Sequence, residues 1–204
     1  MSDQEEVAKG EKFPMRPLRL KSLSQFFYQN SSFLIGIFST AIFISYLFFV
    51  MVEKSSGFEL ADDDIKSLGT SFGFDHAEII TFLATRTDEM IKAYINFNQV
   101  WDTLLGLIYG LMYVVWISVL FKEFSQKMSY LNLLPCVQVI FDWLENYALA
   151  LLANQYLAEG VISSTTAKIA SIFSITKWVF SSLTLTLVLI GIILMISRLV
   201  KSKQ

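Results

Sequence analysis

Three polar side chains able to move protons or grip a cation interrupt an apolar run. From Leu133 to Leu152 the chain is long enough to span a bilayer, yet Asp142, Glu145 and Asn146 fall within it. Their i, i+3, i+4 spacing places them on one face of a helix. The next position on that face is Leu149, so the polar patch is compact. A charge at the bilayer centre costs at least ~2.5–3.5 kcal/mol on insertion scales, so such a patch faces other helices or a cavity rather than lipid.

A countercharge is available in Lys177, flanked by Thr176 and Trp178 near the start of a later apolar run. If the two runs are adjacent and antiparallel, Glu145 lies about 12 Å below the outer end of its span and Lys177 about one turn below the end of its own. The long lysine stem bridges the difference. Asp102 enters the second apolar run with Asn98 one turn before it, and Tyr109 and Tyr113 lie about two and three turns deeper than Asp102. The expectation is a polar pocket in the outer half of the membrane, built from three helices and holding Asp102, Tyr109, Asp142, Glu145, Asn146 and Lys177. One lysine cannot neutralise three carboxylates, so at least one acid must be protonated, solvated or neutralised by something outside this sequence. Three chemistries fit. Glu145 or Asp142 could serve as acid/base with Lys177 stabilising charge, on a lipid-like substrate. The acids could couple proton movement to a carrier. The pocket could bind a lipid or amphiphile. Against all three stands a bland reading, in which an acid–lysine network only fixes helix register and packing.

The elements that position these residues are apolar and long. Four runs reach roughly 20 residues, at about 32–52, 100–121, 130–153 and 173–196, enough for a ~30 Å hydrocarbon core. Alternating polarity is absent, which argues against a β-barrel. The fold class expected is all-α: a four-transmembrane-helix bundle with a partly helical extracytoplasmic loop. Residues 1–31 form a tail with an interfacial helix around Leu18, Leu20, Leu23, Phe26 and Phe27, residues 32–198 the membrane domain, and residues 199–204 a second tail. Lys9, Lys12, Arg16, Arg19 and Lys21, Lys122 and Lys127, and Arg198, Lys201 and Lys203 cluster at one side. By the positive-inside rule both termini are cytoplasmic and the acidic loop 53–99 faces outside or a lumen. Within that loop, Asp75 and Glu78 form a capping box that starts a helix burying Ile79, Ile80, Phe82 and Leu83. Thr87-Asp88-Glu89 starts a second helix that runs on into the second span. Gly69 and Gly73 flank a turn. Asp62-Asp63-Asp64 lacks EF-hand spacing and reads as a solvated helix start. Gly106 and Gly110 form a small-xxx-small pair that admits a close neighbour.

Composition narrows the function classes. The 204 residues are 54% hydrophobic and only 17% charged, with mean hydropathy +0.53, the profile of an integral membrane protein of a plasma, inner or endomembrane. A net charge of −2 gives no sign of nucleic-acid binding. One cysteine, Cys136, excludes an internal disulfide and a CxxC centre, and one histidine, His76, argues against multi-histidine metal chemistry. No cofactor and no metal is expected, and the expected surroundings are the lipid bilayer and a lipid or amphiphile. No GxSxG, HExxH or phosphate-cradling glycine loop occurs.

Trp101-Asp102 with Tyr109-Gly110, Leu134-Pro135, Asp142-Trp143-Leu144-Glu145-Asn146, and Ser171 to Trp178 follow one another in order. In these landmarks the chain resembles a group of uncharacterised four-helix integral membrane proteins carrying D, P, DxxEN and FTxxKW signatures, over roughly residues 74–196. Ile108 stands where that group often has proline, and Ser174 where it often has threonine. The resemblance implies a four-helix membrane fold and supplies no activity. The resulting expectation is an integral membrane protein, leaning non-enzymatic, whose acidic/Lys pocket organises the bundle.

Overall fold

Lipid offers no partner for backbone N–H and C=O groups, so apolar runs of spanning length must fold as helices that satisfy themselves. In the computed structural model, which describes residues 20–60, 67–124, 128 and 130–201, four helices are long and apolar enough to cross a membrane. Among the described residues no strand forms. Several sequence readings lie outside the described residues: Lys9, Lys12, Arg16, Leu18 and Arg19, Asp62 to Asp64, Lys127 and Lys203.

Six helices organise the described residues. Helix α1 is Leu20–Asn30. Helix α2, Phe33–Ser55, is the first span, started by Ser32, whose Oγ accepts from the Ile35 N–H at 3.3 Å. Helix α3, His76–Ala84, begins with the expected capping box: Asp75 accepts from the Glu78 N–H at 2.8 Å and Glu78 accepts from the Asp75 N–H at 2.7 Å. Helix α4, Asp88–Leu120, runs without a break from its Thr87 cap through the second span. Helix α5, Leu134–Glu159, has Pro135 in its first turn, where a missing N–H costs nothing. Gly160, at φ 70°, ends it. Helix α6, Ser164–Lys201, follows after a turn of four residues, 160–163. It starts nine residues before the apolar stretch at 173, because the Ser163 hydroxyl caps it by accepting from the Thr166 N–H at 3.2 Å.

Helices α5 and α6 form the tightest pair. The buried residues of α6 are Ala167, Ala170, Ser174, Lys177, Thr184 and Gly191, a heptad stripe of mostly small side chains. Small residues let helix backbones approach where no hydrophobic drive exists between helix and lipid. Gly106 and Gly110 do the same for α4 against α5. A Cβ at Gly106 would lie 2.7 Å from Asp142 Oδ2, and one at Gly110 would overlap Val139. Helix α2 packs chiefly on α4 and is otherwise exposed, with Leu34, Phe38 and Phe49 pointing away from the bundle.

The two ends of the bundle differ. At one, here the loop end, Phe58, Leu68, Phe74, Ile79, Phe82, Leu83 and Ile91 make an apolar core with Leu149, Leu152, Ala153 and Ala170. Ile79, Phe82 and Leu83 are buried and Ile80 packs at the edge, so α3 presents the face its sequence pattern predicts. At the other, the tail end, α1 is pinned by a buried polar knot. Asn132 donates to Ser118 Oγ at 2.9 Å and to the Ser24 carbonyl at 3.0 Å, and accepts from Ser24 Oγ at 2.7 Å. Tyr28 donates to the Met128 carbonyl at 3.1 Å, and burial pushes its hydroxyl pKa up, which keeps the proton on the donor.

Candidate functional site

The hairpin of α5 and α6 brings the central charges together. Glu145 lies fourteen residues before Glu159 and Lys177 thirteen after Ser164, so at 1.5 Å per residue both sit about 20 Å from the connecting turn. The levels match, and the lysine stem need not bridge a step. The sequence reading put both nearer the loop end because it took the helices to end where apolarity ends.

Lys177 is the hub. Its Nζ pairs with Glu145 Oε2, lies 3.4 Å from Asp142 Oδ1, and donates to the Gly69 carbonyl at 2.9 Å. Glu145 is fully buried, and Asn146 and Asp142 nearly so. The third ligand of the ammonium comes from the loop segment and not from a helix. Two further contacts run parallel to it: Ser174 Oγ donates to the Ser71 carbonyl at 2.9 Å, and the Phe74 N–H donates to Ser171 Oγ at 3.0 Å. Ser171, Ser174 and Lys177 occupy successive turns on one face of α6, so segment 69–74 is stitched along it.

Beside this hub lies a pocket of about 600 Å³. Its polar lining includes Asn98, Asp102, Tyr109, Gln138, Asp142 and Lys177. Four of the six residues expected at the site therefore line it. Glu145 and Asn146 do not; they are sealed behind Lys177 and Asp142 in the packed layer between helices. The pocket also corrects the expectation of three contributing helices. Phe43, Leu47, Phe48, Met51 and Val52 of α2 form its apolar wall, so all four spans contribute.

Its interior is not saturated. Tyr109 faces Asp142 and Gln138. Even so, the Tyr109 hydroxyl, Gln138 Oε1 and Asp142 Oδ2 are buried with no hydrogen-bond partner of good geometry among the described residues. The three carboxylates Asp102, Asp142 and Glu145 share Lys177 as their neighbouring cation.

Two helical irregularities frame the pocket. Residues Leu47–Met51 of α2 and Phe97–Asp102 of α4 adopt wider π-helical turns, which insert one residue into the helical repeat and recur at functional sites. The Tyr46 hydroxyl donates to the Trp101 carbonyl at 2.9 Å, Asn98 Nδ2 to the Tyr94 carbonyl at 2.8 Å, and Thr103 Oγ1 to the Asn98 carbonyl at 2.8 Å. Side chains thus answer carbonyls along the wide turn that carries Asp102.

Sequence reasoning missed the Gly69 carbonyl, the α2 wall and the wide turns. One signal was available: Ser171, Ser174 and Lys177 recur at i, i+3, i+6, a polar stripe that needs something to bind.

His76 and Cys136 take no part in this site. His76 opens α3 with Nε2 3.3 Å from the Ile162 carbonyl, and Cys136 is a half-buried free thiol.

Comparison of the chain with protein-family models, with curated proteins and with solved structures finds no match to any of them.

Proposed function

We propose that this is a multi-pass membrane protein, with both termini cytoplasmic, whose intramembrane acidic/Lys pocket organises the bundle and holds an amphiphile. The observation that carries the reading is the pocket's two-sided character. One wall is apolar, and its Phe48 and Val52 are also exposed on the outside of the bundle, where acyl chains would run. The opposite wall carries Asp102, Tyr109, Gln138, Asp142 and Lys177. At about 600 Å³ it falls in the range of small-ligand sites, ~300–1,000 Å³. A packed-shut network would support a purely structural role; unpartnered polar atoms buried in residues that line a pocket of this size support a binding one.

Native mass spectrometry of the full chain, purified in mild detergent, tests this. A retained lipid that is lost on filling the pocket with Leu105→Trp supports the reading. Absence of any retained amphiphile, in a chain that is folded by circular dichroism, would sink it. Orientation is tested by impermeant maleimide labelling of Ser56→Cys in a Cys136→Ser background, which should react from outside the cell or from the lumen. Labelling from the cytoplasmic side would reverse the topology.

One observation favours a second reading, an enzyme acting on a lipid-like substrate. Asp142 reaches the pocket while Glu145 is sealed behind it, so the acid/base would be Asp142, with Lys177 stabilising charge. Recovery of a chemically altered lipid from the wild type but not from Asp142→Asn would select it.

A further inference from the structure

We infer that the head group taken by this pocket is cationic, a protonated amine at the end of an apolar chain. The inference rests on the amphiphile reading above and names the class of amphiphile.

Charge comes first. Among the described lining residues, Asp102, Asp142 and, at the rim, Glu59 face the single cation Lys177, and Glu145 stands directly behind it. An ammonium has three donors. Those of Lys177 are directed to Glu145, to Asp142 Oδ1 and to the Gly69 carbonyl. Lys177 is thus already committed to two carboxylates and a carbonyl, and a phosphate or carboxylate head would have to compete with them while adding like charge beside Asp102 and Asp142.

Hydrogen-bond polarity points the same way. Asp142 Oδ2 and Gln138 Oε1 are acceptors without partners, in side chains more than nine-tenths buried that line the pocket; the Tyr109 hydroxyl that faces both has one proton and can serve only one of them. Acceptors need a donor, and an amine head brings two or three on one atom. The aromatic lining adds a third argument. Tyr94, Phe97, Tyr109, Tyr113 and Trp178 surround the same space, and the faces of aromatic rings attract cations. Lys177 already uses one of them, with Nζ 5.5 Å from the Trp178 ring centre.

The test uses the full chain in neutral lipid nanodiscs and three probes of equal chain length: palmitylamine, palmityl alcohol and palmitic acid. Binding is read by competition in native mass spectrometry. The amine should bind at least about tenfold more tightly than the alcohol, which is about 1.4 kcal/mol, with the acid weakest. Asp142→Asn should remove most of that preference, weakening the amine by at least about fivefold more than the alcohol. If that variant fails to fold, Asp102→Asn serves, because Asp102 lines the pocket without a salt bridge to Lys177. An alcohol or acid bound as tightly as the amine, or an amine preference that survives both substitutions, overturns the cationic head and leaves the amphiphile reading standing. Failure of the folded wild type to hold any of the three overturns both.

Discussion

Replacing Lys177 with Met leaves a stem of similar length but strands two carboxylates. In the folded chain Nζ pairs with Glu145, approaches Asp142 to 3.4 Å and donates to the Gly69 carbonyl at 2.9 Å. Removing one member of a buried ion pair costs about 3–5 kcal/mol, chiefly because the other charge stays buried. A hydrogen bond from a charged donor adds about 1.5–3 kcal/mol, but these terms share atoms and do not sum. The expectation is therefore the upper part of the pair range, about 4–5 kcal/mol. For a chain of this size each kcal/mol shifts Tm by roughly 2–4 °C, so unfolding should fall by about 8–20 °C. Near-ultraviolet circular dichroism in detergent reads it, since Trp178 packs beside the hub. Glu145→Gln should cost less than Lys177→Met, because Asp142 and Gly69 still hold the ammonium. The double variant should cost less than the sum of the two, with a coupling of about 1–3 kcal/mol. A Lys177→Met protein within about 1 kcal/mol of wild type, or a strictly additive double variant, would refute the hub.

Gly106→Ala places a methyl 2.7 Å from Asp142 Oδ2 and 3.0 Å from Trp143 Nε1, and should destabilise by about 1–3 kcal/mol through overpacking, read by the same thermal scan. Asn132→Ala removes all three bonds of the tail-end knot; a cost of about 1–3 kcal/mol and faster proteolysis within α1 are expected, with the spans still protected. Ser174→Ala breaks the link to the Ser71 carbonyl and should cost about 0.5–1.5 kcal/mol. Hydrogen exchange should quicken over residues 68–74 while α5 stays slow, and equal protection there would show that Ser174 does not hold the segment.

The parts of this structure that were legible in the sequence depend on local chemistry. Run length and hydropathy locate the four spans because a bilayer sets one thickness for all of them. Asp75 with Glu78, and Thr87 before two acids, mark helix starts because their side chains satisfy backbone donors within three residues. The facing of Asp142, Glu145 and Asn146 follows from helical period alone. Other features rest on partners distant in sequence or on backbone atoms. Gly69 contributes a carbonyl, which every residue possesses, so nothing in its identity marks it as a ligand of Lys177. The wide turns at Leu47–Met51 and Phe97–Asp102 carry ordinary apolar and amide residues. At Phe97–Asp102 the displaced carbonyls are answered by Thr103 within the helix and by Tyr46 from α2, a partner more than fifty residues away. The α2 wall was invisible for a different reason: a helix that is apolar all round gives no sign of which face it turns inward.

The partition of the polar cluster bears on whether its role is structural or functional. Glu145 and Asn146 lie in the packed layer, where charge and hydrogen-bond demand fix how α5 meets α6. Asp102 and Tyr109 lie on the pocket. Asp142 belongs to both sides: Oδ1 faces Lys177 at 3.4 Å, while Oδ2 sits against Gly106 with no hydrogen-bond partner among the described residues. The structural and binding readings therefore share one carboxylate, and a ligand's charge at Oδ2 would be felt at the Lys177–Glu145 pair. Occupancy should then stabilise the hairpin. By mass action, a probe at a hundred times its Kd adds about 2.7 kcal/mol to unfolding. In Asp142→Asn the same probe at the same concentration should add little, because the shared atom no longer carries charge. Equal stabilisation of both proteins would show that the ligand and the helix pair do not communicate through Asp142.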